Sequence, residues 1–135
     1  MGIEFRWDYT FQDLSPLFRT TPLAHYFANL FAERNGTCDV DTIIRQFYAL
    51  KQPHPEGYYD IKAPMIILTG SEDGSHPSSY ALQARVPNCE LKVLPGAGHA
   101  CMLEQPWLFD KFMLDFLDRH GVLPATVKPL AALTV

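Results

Sequence analysis

The sequence has 135 residues, of which 47% are hydrophobic and 19% are charged, and its formal net charge is −4. This composition is typical of one globular domain and excludes a disordered, collagen-like or membrane-embedded chain. Because the small acid excess is accompanied by no basic stripe, we expect no nucleic-acid partner.

The N-terminal residues and the cysteines favour a cytoplasmic location. Glu4, Arg6 and Asp8 interrupt the apolar core that a signal peptide needs. The longest apolar run, near 63–68, is far shorter than the ~20 residues that span a bilayer, so no membrane partner is expected. The three cysteines are widely spaced and form no Cys-x-x-Cys pair, which favours buried free thiols over a disulfide scaffold.

Residues 3–11 alternate between apolar and polar side chains. The apolar members of this alternation are Ile3, Phe5, Trp7, Tyr9 and Phe11. A period of two residues is typical of a strand with one buried face. The pattern therefore predicts a half-buried β-strand over 3–11.

Two helices are predicted after this strand. The first spans Pro22 to Arg34 and ends at Asn35-Gly36, a common helix stop. Its apolar residues recur at three- and four-residue spacing, at Leu23, Phe27, Leu30 and Phe31. The second helix spans about Val40 to Leu50, with Asp39 or Asp41 as its N-cap.

Segment 52–57 divides the chain, because two prolines and a glycine in six residues cannot continue a helix. We therefore predict an N-terminal region over 1–59 that contains the strand and the two helices. A second region covers 60–121, and residues 122–135 form a tail.

The second region shows a strand–loop–helix pattern that occurs twice. The apolar run 64–69 predicts a buried strand of the kind found in parallel sheets. A helix from Pro77 to about Val86 leads to a short strand over 90–94, and a last helix runs from Pro106 to about His120. The predicted fold class is α/β, with two parallel strands and flanking helices next to the N-terminal helical region.

The loops after the two strands carry the residues best suited to chemistry. Ligands of parallel sheets gather at the carboxyl ends of the strands, where the first loop has Asp73 and the second has His99. A carboxylate can fix the tautomer of a neighbouring imidazole and stabilise it when it takes up a proton. An alternative is a metal site with Asp73, His76 and His99 as ligands. Its support is weak, because no second pair with ligand spacing accompanies His99-Ala100-Cys101.

Residues 60–120 resemble the C-terminal part of the α/β-hydrolase fold family. The matching segments are Ile61-Lys62-Ala63-Pro64, Gly70-x-x-Asp73-x-x-x-Pro77, Pro87-Asn88-Cys89-Glu90-Leu91, Gly96-Ala97-Gly98-His99 and Glu104-Gln105-Pro106-x-x-Phe109. The resemblance implies that Asp73 is the acid and His99 the base of a Ser-His-Asp mechanism for hydrolysis of an ester or related bond. It implies no cofactor and no metal.

The resemblance leaves three further assignments. Glu72 is a rival for the acid, although the spacing to Gly70 and Pro77 favours Asp73. Glu104 is expected to stabilise the start of the last helix. Residues 20–52 resemble the helical cap that selects substrates in this family.

The nucleophile of the family is missing from this sequence. It lies in Gly-x-Ser-x-Gly on a strand-to-helix turn, and none of the five serines has these flanking glycines. The resemblance therefore implies a truncated hydrolase that is inactive alone and acts on a small ester-like substrate only when an N-terminal half completes it. The nucleophile decides among esterase, dehalogenase, epoxide hydrolase and haloperoxidase chemistry, so the substrate stays open.

A non-catalytic binding or assembly module derived from the same fold is the alternative function. Two parallel strands leave an unpaired sheet edge, which favours self-association of the chain.

Overall fold

The computed structural model describes residues 3–52, 60–124 and 126. The elements in chain order are α1 (Ile3–Gln12), a 3-10 turn (Phe18–Thr20), α2 (Pro22–Gly36), α3 (Val40–Leu50), β1 (Met65–Gly70), α4 (His76–Gln83), β2 (Cys89–Leu94), α5 (Cys101–Glu104) and α6 (Pro106–Arg119). The predicted fold class is confirmed, with two parallel strands and flanking helices. Segment 53–59 and residues 127–135 of the predicted tail lie outside the described residues.

The strand predicted over 3–11 is wrong, because these residues form helix α1. The alternating pattern also contains residues four apart, and Trp7 and Phe11 stack with ring centroids 4.6 Å apart. Both rings lie against His25 of α2, at 5.7 and 5.0 Å between centroids. Packing on α2 selects the helix, which also satisfies its own backbone, and leaves Tyr9 at 61% exposure.

Helix α2 is confirmed, although it continues through the predicted stop at Asn35-Gly36, and its buried face differs from the predicted one. Three alanines spaced four residues apart are almost fully buried, namely Ala24, Ala28 and Ala32. Leu23 and Phe31, which the periodicity placed inside, are 48% and 41% exposed. Small side chains let α2 approach its neighbours, α1 and the 3-10 turn, more closely than a stripe of large residues would.

Helix α3 is confirmed with the predicted bounds, and Asp39 is its N-cap. The Asp39 carboxylate accepts hydrogen bonds from the backbone N–H and the hydroxyl of Thr42, each at 2.9 Å. These bonds lower the pKa of Asp39. The apolar stripe of α3 is largely exposed, with Phe47 at 55% and Leu50 at 70%.

The two strands pair in parallel, with Met65 opposite Cys89 and Gly70 opposite Leu94. The carboxyl ends of both strands therefore lie next to each other, and the loops that follow them start side by side. In the described part of the chain the sheet has only these two strands, so the other edge of β1 has no strand partner. The expected burial of β1 on both faces is not reached, since residues 65–68 are only half-buried.

One face of the sheet packs against α6. Leu94 is fully buried with Ala97 and Cys101, and partly buried side chains surround this cluster, namely Leu68, Leu108, Phe109 and Phe112. Arg119 at the end of α6 binds the Glu90 carboxylate with two hydrogen bonds of 2.7 and 2.8 Å. Helix α6 is thereby fixed across β2 at both ends.

The thiols and the helices give two further findings. All three cysteines are free, but only Cys101 is buried, and Cys38 is exposed, so the expected burial is wrong for Cys38. None of the helices in the described ranges combines the length and the hydropathy that a transmembrane segment requires.

Leu94→Ala should lower the free energy of unfolding by about 2–5 kcal/mol, because it opens a cavity between β2 and α6. The matched control is Leu50→Ala, which removes the same atoms from a side chain that is 70% exposed and should change the stability by less than about 0.5 kcal/mol. Urea unfolding followed by circular dichroism measures both. Equal effects of the two substitutions would contradict this account of the core.

Candidate active site

The loops after β1 and β2 are joined by direct hydrogen bonds. The backbone N–H of Ser71 donates to the Leu94 carbonyl at 3.0 Å, and that of Glu72 donates to the Ala97 carbonyl at 2.9 Å. In the opposite direction, the Gly96 N–H donates to the Ser71 hydroxyl at 2.8 Å. The parallel register brings the loops together, and these bonds fix their relative position.

Gly70, the last residue of β1, is required for this close approach. A Cβ atom at position 70 would lie far inside van der Waals contact of the backbone oxygens of Ala97 and Gly98. The second loop therefore crosses directly over the end of β1. That crossing places the residue after Gly98, His99, beside the first loop.

Asp73 and His99 meet at the contact between the two loops. The His99 Nδ1 atom lies 3.1 Å from Asp73 Oδ2. The Asp73 side chain is only 10% exposed, whereas the His99 side chain is 62% exposed. The two residues that the sequence singled out are therefore in direct contact, with the carboxylate inside and the imidazole toward solvent.

The Asp73 carboxylate is held in its ionised form. Burial raises its pKa, but this effect is outweighed by hydrogen bonds from the Ser75 backbone N–H, the Ser75 hydroxyl and His99, and the net pKa is lowered. The two bonds from Ser75 to Oδ1 are 2.8 and 2.9 Å long. Oδ1 is thus saturated by Ser75, which leaves Oδ2 for the imidazole.

The His99 backbone is fixed by the segment that joins α1 to the 3-10 turn. The His99 N–H donates to the Asp13 carbonyl at 2.8 Å. The Glu104 carboxylate accepts the N–H groups of Gly98 at 3.1 Å and Ser15 at 3.0 Å. The expected role of Glu104 at the start of the last helix is not what the structure shows, because Glu104 ends α5 and binds these two loops. Sequence spacing gave no signal for these contacts, since Ser15 and Glu104 are 89 residues apart.

A cavity of about 230 Å³ adjoins His99. It lies between the His99 loop, α1 and α2, and is lined by Tyr9, Thr10, Asp13, Leu14, Phe27, Phe31, His99 and Ala100. Most of this lining is apolar or aromatic, and Asp13 is its one acidic member. The arrangement gives the imidazole a pocket in which a small apolar group fits.

The two rival assignments receive no structural support. Glu72 is exposed, and its carboxylate accepts a bond from the hydroxyl of the adjacent Ser71 at 3.3 Å. His76 packs edge-on against Tyr80, with ring centroids 4.9 Å apart. Within residues 3–52 and 60–124, no three His, Cys, Asp or Glu side chains are grouped closely enough to hold a metal ion.

Three serines near the site have structural partners. The Ser15 hydroxyl accepts the Phe18 N–H at 3.2 Å, and the Ser71 hydroxyl accepts the Gly96 N–H. The Ser75 hydroxyl donates to Asp73. None of these three lies in the flanking pattern of a nucleophile turn.

Comparison with known proteins gives partial matches. A segment of 61 residues is 37% identical to "Putative protein-lysine deacylase ABHD14B" of Rattus norvegicus, and 66 residues are 35% identical to "Protein ABHD14A" of Danio rerio. Over 80 residues the chain is 32% identical to "Putative carbamate hydrolase RutD" of Escherichia coli. These matches cover 45%, 48% and 57% of this chain, and 29%, 24% and 30% of the respective relatives. No family model matches the sequence.

A solved structure shows the fold relationship over more of the chain. The crystal structure of a serine hydrolase involved in carbazole degradation, the CarC enzyme, matches with a TM-score of 0.61 and 17% identity. The match covers 87% of this chain and 48% of that one. The resemblance to the α/β-hydrolase fold is therefore confirmed, and the chain spans about half of the solved hydrolase and less than a third of the relatives matched by sequence.

Gly70→Ala should lower the free energy of unfolding by roughly 1–3 kcal/mol and separate the two loops, because the new Cβ collides with backbone that cannot move aside. The matched control is Gly74→Ala, where nothing lies within 4 Å of the added atom. Urea unfolding measures the stability, and hydrogen exchange of the Glu72 amide reports loop separation. Faster exchange in the Gly74 variant than in the Gly70 variant would contradict the argument.

The stability contributed by Asp73 should disappear in acid. Because the pKa of Asp73 is lower in the folded chain than its ordinary value of 3.8, the unfolded chain binds this proton first as the pH falls. The contribution is therefore complete above about pH 5 and is lost as the pH falls through 3.8 toward the folded-state pKa.

The measurement is the free energy of unfolding of the wild type and of Asp73→Asn between about pH 6 and pH 3. The difference between the two proteins should shrink toward the acid end. Ser75→Ala, which removes one of the bonds to the carboxylate, should give an intermediate slope, and Ser78→Ala on the exposed surface of α4 should follow the wild type. A difference that is independent of pH would show that Asp73 stabilises the chain by packing alone.

Proposed function

We propose that this chain supplies the acid and the base of an α/β-hydrolase reaction, with His99 as the general base and Asp73 as the carboxylate that orients it. The observation that carries the proposal is the 3.1 Å contact between His99 Nδ1 and Asp73 Oδ2 at the carboxyl ends of two parallel strands. The fold relationship to hydrolases supports the same assignment.

The chemistry follows from this contact. When the neutral imidazole carries its proton on Nδ1, that N–H donates to Asp73 Oδ2 and Nε2 keeps a lone pair. Nε2 can then take the proton of a hydroxyl nucleophile and later give it to the leaving group. The Asp73 charge stabilises the imidazolium that exists between these two steps.

The nucleophile and the oxyanion donors are expected from polypeptide outside these 135 residues. The sequence has no Gly-x-Ser-x-Gly, and the serines near His99 are bound to backbone groups or to Asp73. Groups that attack the substrate and stabilise the oxyanion supply most of the acceleration in this type of reaction. The chain alone is therefore proposed to be inactive.

The cavity beside His99 favours a small, uncharged ester-like or amide-like substrate. Phe27, Phe31 and Leu14 present apolar surface to any bound group. Asp13 is the acidic residue among those that line the cavity, and its negative charge disfavours an anionic substrate there. The proposed substrate class is an acyl compound with a short apolar acyl group.

A graft tests the proposed function. Residues 60–121 of this chain replace the equivalent segment of the solved CarC hydrolase, whose own half keeps the nucleophile. The graft should hydrolyse a p-nitrophenyl ester and react with a fluorophosphonate serine probe. Asp73→Asn in the graft should lower kcat by about 10⁴-fold, and His99→Ala should abolish measurable turnover. Glu72→Gln is the matched control and should keep the rate of the graft.

The chain alone serves as the second arm of this test. Its rate on the same ester should equal that of its His99→Ala variant. Turnover by the isolated chain that disappears in His99→Ala would contradict the proposed inactivity. A folded graft whose rate is the same with and without His99 would contradict the role of the base.

Assembly without catalysis is the second candidate function. The specific observation in its favour is β1, whose residues carry no charge or proline and whose second edge has no strand partner in the described part of the chain. Such an edge is a template for pairing with another chain. A stable dimer in sedimentation, together with a folded but inactive graft, would favour this candidate over the first.

A further inference from the structure

The His99 loop has a second carboxylate contact that the proposed chemistry does not use. Glu104 is the last residue of α5, five residues after His99, and its Oε1 atom accepts two backbone N–H groups. One belongs to Gly98, the residue before His99, at 3.1 Å. The other belongs to Ser15, which lies on the segment after α1, at 3.0 Å.

These bonds form a closed circuit around His99. The His99 N–H donates to the Asp13 carbonyl at 2.8 Å, and Asp13 is two residues before Ser15. Starting from His99, the circuit passes to Asp13, along the chain to Ser15, through the Glu104 carboxylate to Gly98, and back to His99. A single oxygen atom of Glu104 therefore joins the His99 loop to segment 13–15, which includes two residues that line the cavity beside His99.

Position 98 has no room for a side chain beside the Glu104 carboxylate. A Cβ atom at position 98 would lie 2.6 Å from the Asp13 oxygen, 2.6 Å from the Ser15 nitrogen and 2.8 Å from Glu104 Oε1. The absence of a side chain lets all three groups approach the loop backbone. A hydrogen bond that an N–H donates to a carboxylate is roughly twice as strong as one between neutral groups. The other oxygen of Glu104, Oε2, is buried without a hydrogen-bond partner among the described residues. The free-energy cost of burying the carboxylate is therefore offset by the two N–H groups that donate to Oε1.

The exposure of His99 explains why its backbone must be fixed. Its side chain is 62% exposed, so packing does not hold the ring, and its described side-chain hydrogen bond is the 3.1 Å contact with Asp73. A loop that moved by about 1 Å would lengthen this contact beyond hydrogen-bond distance. The ring can stay beside Asp73 only if the Cα atom of His99 stays in place.

We propose that Glu104 is a positioning residue for His99, which acts through the backbone by fixing the His99 loop to segment 13–15. This role deepens the proposed function and rests on it for its importance in catalysis. Its structural consequence, that Glu104 keeps the imidazole hydrogen-bonded to Asp73, can be measured on the chain alone.

The test uses the tautomer of His99, measured by long-range ¹H–¹⁵N correlation spectra at about pH 8.5, where an imidazole is neutral. The wild type should show His99 with its proton on Nδ1. In Glu104→Ala, His99 should lose this preference and show the mixture of Nδ1–H and Nε2–H tautomers that a free imidazole has. Glu104→Gln keeps an acceptor oxygen for both N–H groups and should restore the Nδ1–H form.

Two controls separate positioning from a general loss of stability. Leu94→Ala destabilises the core at the end of β2 without touching the circuit and should keep the Nδ1–H form. Asp73→Ala removes the acceptor itself and should lose that form. Glu104→Ala that keeps the wild-type tautomer while Asp73→Ala loses it would overturn the proposal.

The outcomes also distinguish this inference from the proposed function. A graft that folds but does not hydrolyse esters, combined with loss of the Nδ1–H form in Glu104→Ala, would reject the hydrolase role and retain the role of Glu104. An active graft combined with an unchanged His99 tautomer in Glu104→Ala would retain the hydrolase role and reject the role of Glu104.

Discussion

The candidate site depends on one constraint, the parallel register of β1 and β2. Because Gly70 pairs with Leu94, both strands end at the same edge and their loops start side by side. The hydrogen bonds between the loops and the missing side chain at position 70 then bring them into contact. A shift of the register by one residue would reverse the side chains of one strand and separate the carboxylate of Asp73 from the imidazole of His99.

Two carboxylates next to the His99 loop, those of Asp73 and Glu104, have different hydrogen-bond partners. Hydrogen bonds from Ser75 and His99 outweigh the effect of burial and lower the pKa of Asp73. Glu104 instead accepts the backbone N–H groups of Ser15 and Gly98. Asp73 contacts the ring of His99, and Glu104 accepts the backbone N–H of Gly98, the residue before His99, whose side chain is 62% exposed.

The described part of the chain also has surfaces that its own residues do not cover. The second edge of β1 lacks a strand partner there, and α3 presents an apolar stripe in which Phe47 is 55% exposed. Residues 65–68 of β1 are only half-buried, and the chain matches about half of the solved hydrolase.

The sequence by itself determined the elements whose local signals agree with their surroundings. Segment 64–69 predicted β1 within one residue, because short apolar runs between Pro and Gly have few other structures. The spacing of Asp73 and His99 after their strands predicted their meeting, since parallel strands bring their carboxyl ends together. Tertiary structure decided the rest. The period of two over 3–11 suited a strand or an i,i+4 stack, and the contact with α2 selected helix α1. The partners of Glu104 are separated from it by up to 89 residues, and no local pattern records a hydrogen bond to a distant backbone N–H.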